Sequence, residues 1–245
     1  MKHPRQGSRK VSTTRRSKER GSAVAPAPRP TLGSIPAADE RGASARTRRL
    51  LLQTAMEIVT RGHVPSVSEV AEAAQVSRAT AYRYFPTQSR LIATITDYSL
   101  GPVRSWTSSS QDGVQRLHEL FDKTYPRFKE FEPQMRAALQ LALEHEALDR
   151  AGLLKEEPYR RGFRRAILLN AAKPLEPVLG KARFRRLILA LSLVYGIEPY
   201  VVLKDIWGLS DREVERIALW MADALIDAAL REAKPAGRGN GARRR

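Results

Sequence analysis

Between Arg46 and Arg61, the residues Leu51, Leu52, Ala55, Ile58 and Val59 fall on one face at helical spacing, and Gly62 is a natural stop. A second stripe follows: Val67, Val70, Ala71 and Ala74 repeat at i, i+3, i+4 and i+7. It is preceded by Ser66-Val67-Ser68-Glu69, in which the Ser66 hydroxyl can cap the helix start while Glu69 reaches back. Gln75 and Val76 make a turn, Ser77 caps a third helix, and Pro86 ends it. Thr87 then caps a fourth helix running through Leu91, Ile92 and Ile95 to about Trp106. After a Ser-rich break with Gly113, the pattern predicts helices over about 114–131, 133–147, 158–173, 183–207 and 211–233, the last opened by Ser210 and Glu213 as a second capping box. No period-two strand and no internal repeat is visible, so the expected fold is all-α.

The third helix has an unusual outward face. At 100 degrees per residue Ala81 and Phe85 point inward together, Ala79, Thr80 and Arg83 point away, and Tyr82 and Tyr84 occupy the flanks. A solvated surface helix usually shows Glu and Lys outward. Here a small residue, a hydroxyl, an arginine and two phenols stand there, with no acid from Arg78 to Arg90. Such a face offers donors to phosphate oxygens and base edges and nothing that repels them.

Charge sharpens the picture by its placement. The 245-residue chain carries a formal +17. Residues 1–48 hold 12 Lys/Arg against 3 Asp/Glu, and residues 231–245 hold 6 against 1, leaving only +3 on the 182 residues between. The tails are basic and the body is near neutral, which points to a polyanionic partner. Residues 1–44 are rich in Arg, Lys, Ser, Pro and Ala and are expected to be a disordered basic extension; 234–245 reads as a disordered Gly/Arg-rich tail. Between them, 45–93 reads as a helix-turn-helix domain and 94–233 as a helical regulatory and dimerisation domain. The chain has no cysteine, which fits a cytoplasmic compartment. The apolar run Leu187 to Leu203 is interrupted by Glu198 and Pro199 and reads as a buried helix, not a membrane span.

The last helices carry a second expectation. Leu187 to Tyr195 is almost wholly apolar, and the final helix has apolar residues on more than one side, so one neighbouring layer does not cover them. Leu187, Leu191, Trp207, Ile217, Trp220, Met221 and Leu225 are therefore candidates for an interface with a second copy of the chain.

The stretches LLQTAMEIV, SVSEVAEAAQVS, VSRATAYRYF and PTQSRL, within Arg48 to Leu91, resemble the DNA-binding domain of the TetR (tetracycline-repressor-like) family of transcriptional regulators. The resemblance implies a helix-turn-helix whose second helix lies in the major groove, with C-terminal helices forming a dimer and a small-molecule pocket. It implies that Arg78, Ala79 and Thr80 face bases, and that Thr80, Tyr82, Tyr84 and the start of the fourth helix, Thr87 and Gln88, face phosphates. Ser66, Ser68, Ser77 and Arg83 complete the candidate DNA-contacting set, and Arg46 and Arg48, just ahead of the first apolar stripe, are candidates for a minor-groove arm. The chain departs from the family pattern at three positions: Gln75 where glycine is common, Tyr84 where histidine is common, and Gln88 where a lysine is usual. The connection from helix one to helix two is also about one residue shorter than usual.

The expected function is thus a sequence-specific regulator of transcription, a homodimeric repressor released from a palindromic operator on double-stranded DNA by a small-molecule effector. The alternative is a non-specific nucleic-acid-binding protein acting through its basic tails. Phe121, Tyr125, Met135 and Tyr195 are candidates to line an effector cavity, although aromatic residues and Met at helical spacing are usually core. An enzyme is not expected. His3, His63, His118 and His145 are scattered with no metal-binding spacing, His145 reads as a surface residue, and neither a phosphate loop nor a nucleophile elbow is present. No cofactor or metal is implied.

Overall fold

A computed structural model describes residues 42–234. Among them there is helix, turn and loop but no strand, so the described part of the chain is all-α. The expectations for 1–41 and 235–245 lie outside the described residues.

α1 spans Ala43–Thr60 and starts three residues earlier than its apolar stripe indicated, at Gly42 with φ 101°. Arg46 and Arg48 therefore sit within the first turns of α1 and not ahead of it, because Ala43, Ser44 and Ala45 are compatible with helix. α2 (Val67–Ala73) and α3 (Arg78–Tyr84) are seven residues each and pack against one another and against α1. Helices this short are marginal alone. They persist because their stripes are buried: Val67, Val70, Ala71, Ala81 and Phe85 join Leu51, Leu52, Ala55, Ile58 and Val59 in one apolar cluster. The turn between them places Gln75 at φ 55°, the left-handed region that favours glycine.

α4 (Gln88–Leu100) stops at Gly101, φ 50°, and continues only as a short 3-10 turn, Gly101–Ser105, so it falls short of Trp106. α5 is Gly113–Glu130 and α6 Glu132–Arg150. The N-terminal cluster is not closed on itself, for Phe131, Ala137, Ala138 and Leu141 from the start and middle of α6 belong to it. In the seam between α6 and α1, the buried Gln134 amide NH2 donates to the Met56 carbonyl (3.4 Å) and the Thr60 hydroxyl (3.1 Å).

α7 begins at Phe163, five residues later than the sequence pattern suggested, and runs to Ala172. The preceding residues are instead drawn out over α4 by long-range hydrogen bonds. α8 (Glu176–Val194) contains a break at Gly180. The expected continuous helix over 183–207 ends at Val194, because Gly196 takes φ 146° and redirects the chain into α9 (Ile197–Val201) and a π-helical turn, Val202–Ile206. The π turn is fastened to α6: the Arg136 guanidinium forks onto both oxygens of Asp205 at 2.7 Å, and Lys204 reaches Glu132 and Asp211. α10 (Asp211–Ala233) packs most extensively on α8.

The second apolar cluster joins α5, α7, α8, α9 and α10 around Phe121, Tyr125, Phe128, Tyr195 and Tyr200, with ring centroids 5.2–6.2 Å apart. Among the described residues no single helix is long and apolar enough to cross a membrane.

Candidate nucleic-acid interface

The start of α2 is built as its sequence dictates. Ser66 Oγ accepts from the Glu69 N–H (3.2 Å) and the Ser66 N–H donates to the Glu69 carboxylate (2.7 Å). That backbone hydrogen bond, more than the neighbouring His63, holds the Glu69 carboxyl below the usual carboxylate range. At α3, Ser77 Oγ accepts from the Thr80 N–H (3.2 Å) and pairs with the Thr80 hydroxyl at 2.8 Å. Ala81 and Phe85 then anchor α3 inward, both essentially inaccessible, and Arg78, Ala79, Tyr82 and Arg83 are left exposed with Thr80 and Tyr84 half-buried beside them.

Hydroxyl contacts to neighbouring helices hold the outer side chains. Tyr82 OH lies 3.2 Å from Ser68 Oγ on α2, and Tyr84 OH lies 2.8 Å from Ser44 Oγ on α1. Arg83 stacks on the Tyr84 ring with 5.2 Å from its guanidinium carbon to the centroid, and donates to the Tyr84 hydroxyl (3.3 Å). Each of the two phenols and the guanidinium is thus held by at least one contact to the scaffold or to its neighbour. Arg46 is exposed; Arg48 lies half-buried with its guanidinium 5.9 Å from the Phe85 ring, so one of the two proposed arm residues is part of the packing behind α3.

Gln88 departs from its expected role. Its side-chain NH2 donates to the carbonyls of Val64 (3.4 Å) and Pro65 (3.2 Å), and its backbone N–H donates to Glu156. It ties the start of α4 to the loop ahead of α2 and is not presented outward as a phosphate contact. Thr87 is the helix cap, its hydroxyl accepting from the Arg90 N–H at 3.1 Å. Arg90, one turn in, is exposed.

The other predicted sites divide. Phe121, Tyr125, Met135 and Tyr195 are all buried in the second cluster, where the rings fill the space between α5 and α8 and α9. The Tyr195 hydroxyl pairs with Thr124 at 2.8 Å and Tyr125 OH donates to the Val194 carbonyl at 3.3 Å; burial pushes both phenols well above their ordinary range. Leu187 and Leu191 are a correction: they are 3 % and 0 % exposed inside the subunit's own core, since the α8 face they share packs onto neighbouring helices. Apolar residues that are left on the outside include Leu189 and Leu193 of α8, together with Ile206, Trp207 (71 % exposed) and Trp220 (69 %). Ile217, Met221 and Leu225 are half-buried on α10. A surface groove of about 230 Å³ runs along Leu209, Arg216, Ile217 and Trp220.

His145 is a second correction. It is 4 % exposed, with Nδ1 accepting from the Tyr159 N–H (3.1 Å) and Nε2 3.5 Å from Glu156. Its helix position next to Glu144 and Glu146 suggested solvent, but the segment after α6 folds back over it. Sequence reasoning also missed Ser44 and Glu156, whose partners are 40 and 68 residues away, where no local pattern signals them.

Against known proteins, the chain matches no family model and no curated sequence.

Proposed function

We propose that the chain is a sequence-reading DNA-binding regulator of the tetracycline-repressor-like kind. The observation that carries the reading is the outward face of α3: Arg78, Ala79, Tyr82 and Arg83 exposed on a short helix whose opposite side is locked into a three-helix scaffold. In this reading α2 and α3 are the helix-turn-helix, α3 enters the major groove, and Ala79 permits close approach to the base edges. Residues 45–93 form the DNA-binding part and 94–233 the regulatory and dimerisation part, acting in the cytoplasm on the nucleoid. The exposed Trp207 and Trp220 with Leu189 and Leu193 supply apolar surface for a second copy, and two α3 helices related by a two-fold axis would read the half-sites of a palindromic operator. A small-molecule effector in the helical body would favour a conformer in which that spacing is lost, as in a repressor.

Selection of bound duplexes from a random-sequence pool by the full chain tests the proposal. An enriched inverted repeat is expected, and retention of every sequence equally would refute it.

The alternative, non-specific binding through the tails, is favoured by one observation: nearly all the net charge lies in residues 1–48 and 231–245. Deleting residues 1–41, which leaves α1 intact, separates the two readings. Under the first, sequence preference survives and mainly the salt dependence falls; under the second, most affinity disappears.

A further inference from the structure

The segment between α6 and α7 lies across α4 and is tied to it at both ends. At one end the Glu156 carboxylate accepts from the Gln88 N–H (3.1 Å) and the Ser89 N–H (3.2 Å), with Ser89 Oγ 3.2 Å from the same carboxylate and 3.0 Å from the Glu157 carbonyl. At the other, two turns along α4, the Tyr159 hydroxyl meets Thr96 Oγ1 at 3.2 Å. Between them the Tyr159 N–H is held by buried His145. Beyond Tyr159, Arg161 and Arg164 both pair with Glu198 at the start of α9.

Two features of this strap bear on the start of α4. Thr87 caps α4 through the Arg90 N–H, and the Glu156 carboxylate takes the Gln88 and Ser89 N–H groups that the Thr87 hydroxyl does not reach, so the first turn of α4 depends on an acceptor from a distant segment. The chain from Arg78 to Arg90 contains no acid, yet the strap brings a carboxylate, partly exposed, to its far end. Gln88 is four residues beyond Tyr84 and so within about 14 Å of the last turn of α3, and the Glu156 carboxylate lies a further 3.1 Å from the Gln88 N–H.

We propose that Glu156 is an intramolecular brake on DNA binding: it clamps the first turn of α4 and holds a negative charge at the helix start that directly follows α3, whose outer face meets the phosphate backbone. The inference rests on the DNA-binding reading of α3. Because the strap runs on to Glu198 beside the Gly196 break, the brake is joined to the helical body, where a change of state could set or release it.

Glu156→Gln keeps the shape and one acceptor and removes the charge. In the full chain, against the duplex enriched from the random pool, it is expected to tighten binding roughly two- to fivefold at low salt, with the gain shrinking as salt rises. Glu232→Gln, which removes an equal charge from α10, should leave affinity unchanged. Independently of DNA, hydrogen exchange at the Gln88 and Ser89 amides should accelerate in Glu156→Ala. Wild-type-like or weaker binding by Glu156→Gln, or unaltered exchange in Glu156→Ala, overturns the brake while leaving the DNA-binding reading intact. A wild-type chain that enriches no duplex overturns both.

Discussion

Arg83 offers the sharpest test of the exposed face, because its role in the fold is small enough to separate from any role in binding. Among the described residues it has no carboxylate within ion-pair distance; its recorded contacts are the ring and hydroxyl of its neighbour Tyr84. An exposed cation–π contact of this kind is worth at most about 1 kcal/mol. In a chain of this size, Arg83→Ala should therefore lower the melting temperature by no more than about 2–4 °C. If the guanidinium neutralises a phosphate, the slope of log K against log salt should become shallower by about 0.9. Between about 50 and 200 mM salt the wild type would then lose roughly three- to fourfold more affinity than the variant. If it instead forks onto a guanine edge, the loss is about 1–3 kcal/mol with relaxed preference at one base position, and the salt slope barely moves. Fluorescence anisotropy over a salt series, on the enriched duplex and on one altered at single positions, distinguishes the two. Unchanged affinity and unchanged slope in a folded variant would refute the assignment of this face to DNA.

Four further outcomes are expected. Gln75→Gly should raise stability by about 0.5–1 kcal/mol, because the turn between α2 and α3 demands a left-handed backbone; a lower urea midpoint would contradict it. Leu141→Ala should cost about 2–5 kcal/mol in denaturant unfolding, since this fully buried α6 side chain fills the cluster beneath α1 to α4, and a loss under 1 kcal/mol would count against that packing. Burial raises the Glu198 carboxyl, but hydrogen bonding and charge from Arg164, with Arg161, outweigh it and hold the group below its ordinary value of 4.5, so its contribution is present above that value and lost as pH falls through the lowered one. The melting temperature of the wild type should accordingly fall more steeply between about pH 5 and pH 3 than that of Glu198→Gln, and parallel curves would contradict the assignment. Trp207→Asp with Trp220→Asp should shift sedimentation toward the monomer without loss of helix signal, as both rings are mostly exposed; a wild type that sediments as a monomer at every concentration would remove the dimer from the proposal.

The parts of the fold that were legible in the chain are those fixed by neighbours in sequence. Ser66 with Glu69, Ser77 with Thr80, and Thr87 with Arg90 each act within one helical turn, and all three helix starts stand where the residue types place them. The split of α3 into an inward Ala81–Phe85 pair and an outward polar face followed from the helical period alone. The misreadings share a different origin. The largely apolar stretch from Leu187 to Leu203 hid the turn at Gly196, because periodicity registers burial and not backbone direction. The same limit placed Leu187 and Leu191 at an interface when their own subunit covers them. Gln88, His145 and Glu156 owe their settings to partners brought together by the tertiary fold, and residue type gave no hint of the pairing.

The Gln134 amide has a consequence for how α1 can move. Apolar contact along that seam is not directional, so sliding α1 by one helical pitch, about 5.4 Å, would re-form part of the oily contact. The amide would not re-form so easily: its NH2 group would leave the Met56 carbonyl and the Thr60 hydroxyl and face hydrocarbon, at about 1–3 kcal/mol. Gln134 thus works as a key in a slot, favouring one register of α1 against α6.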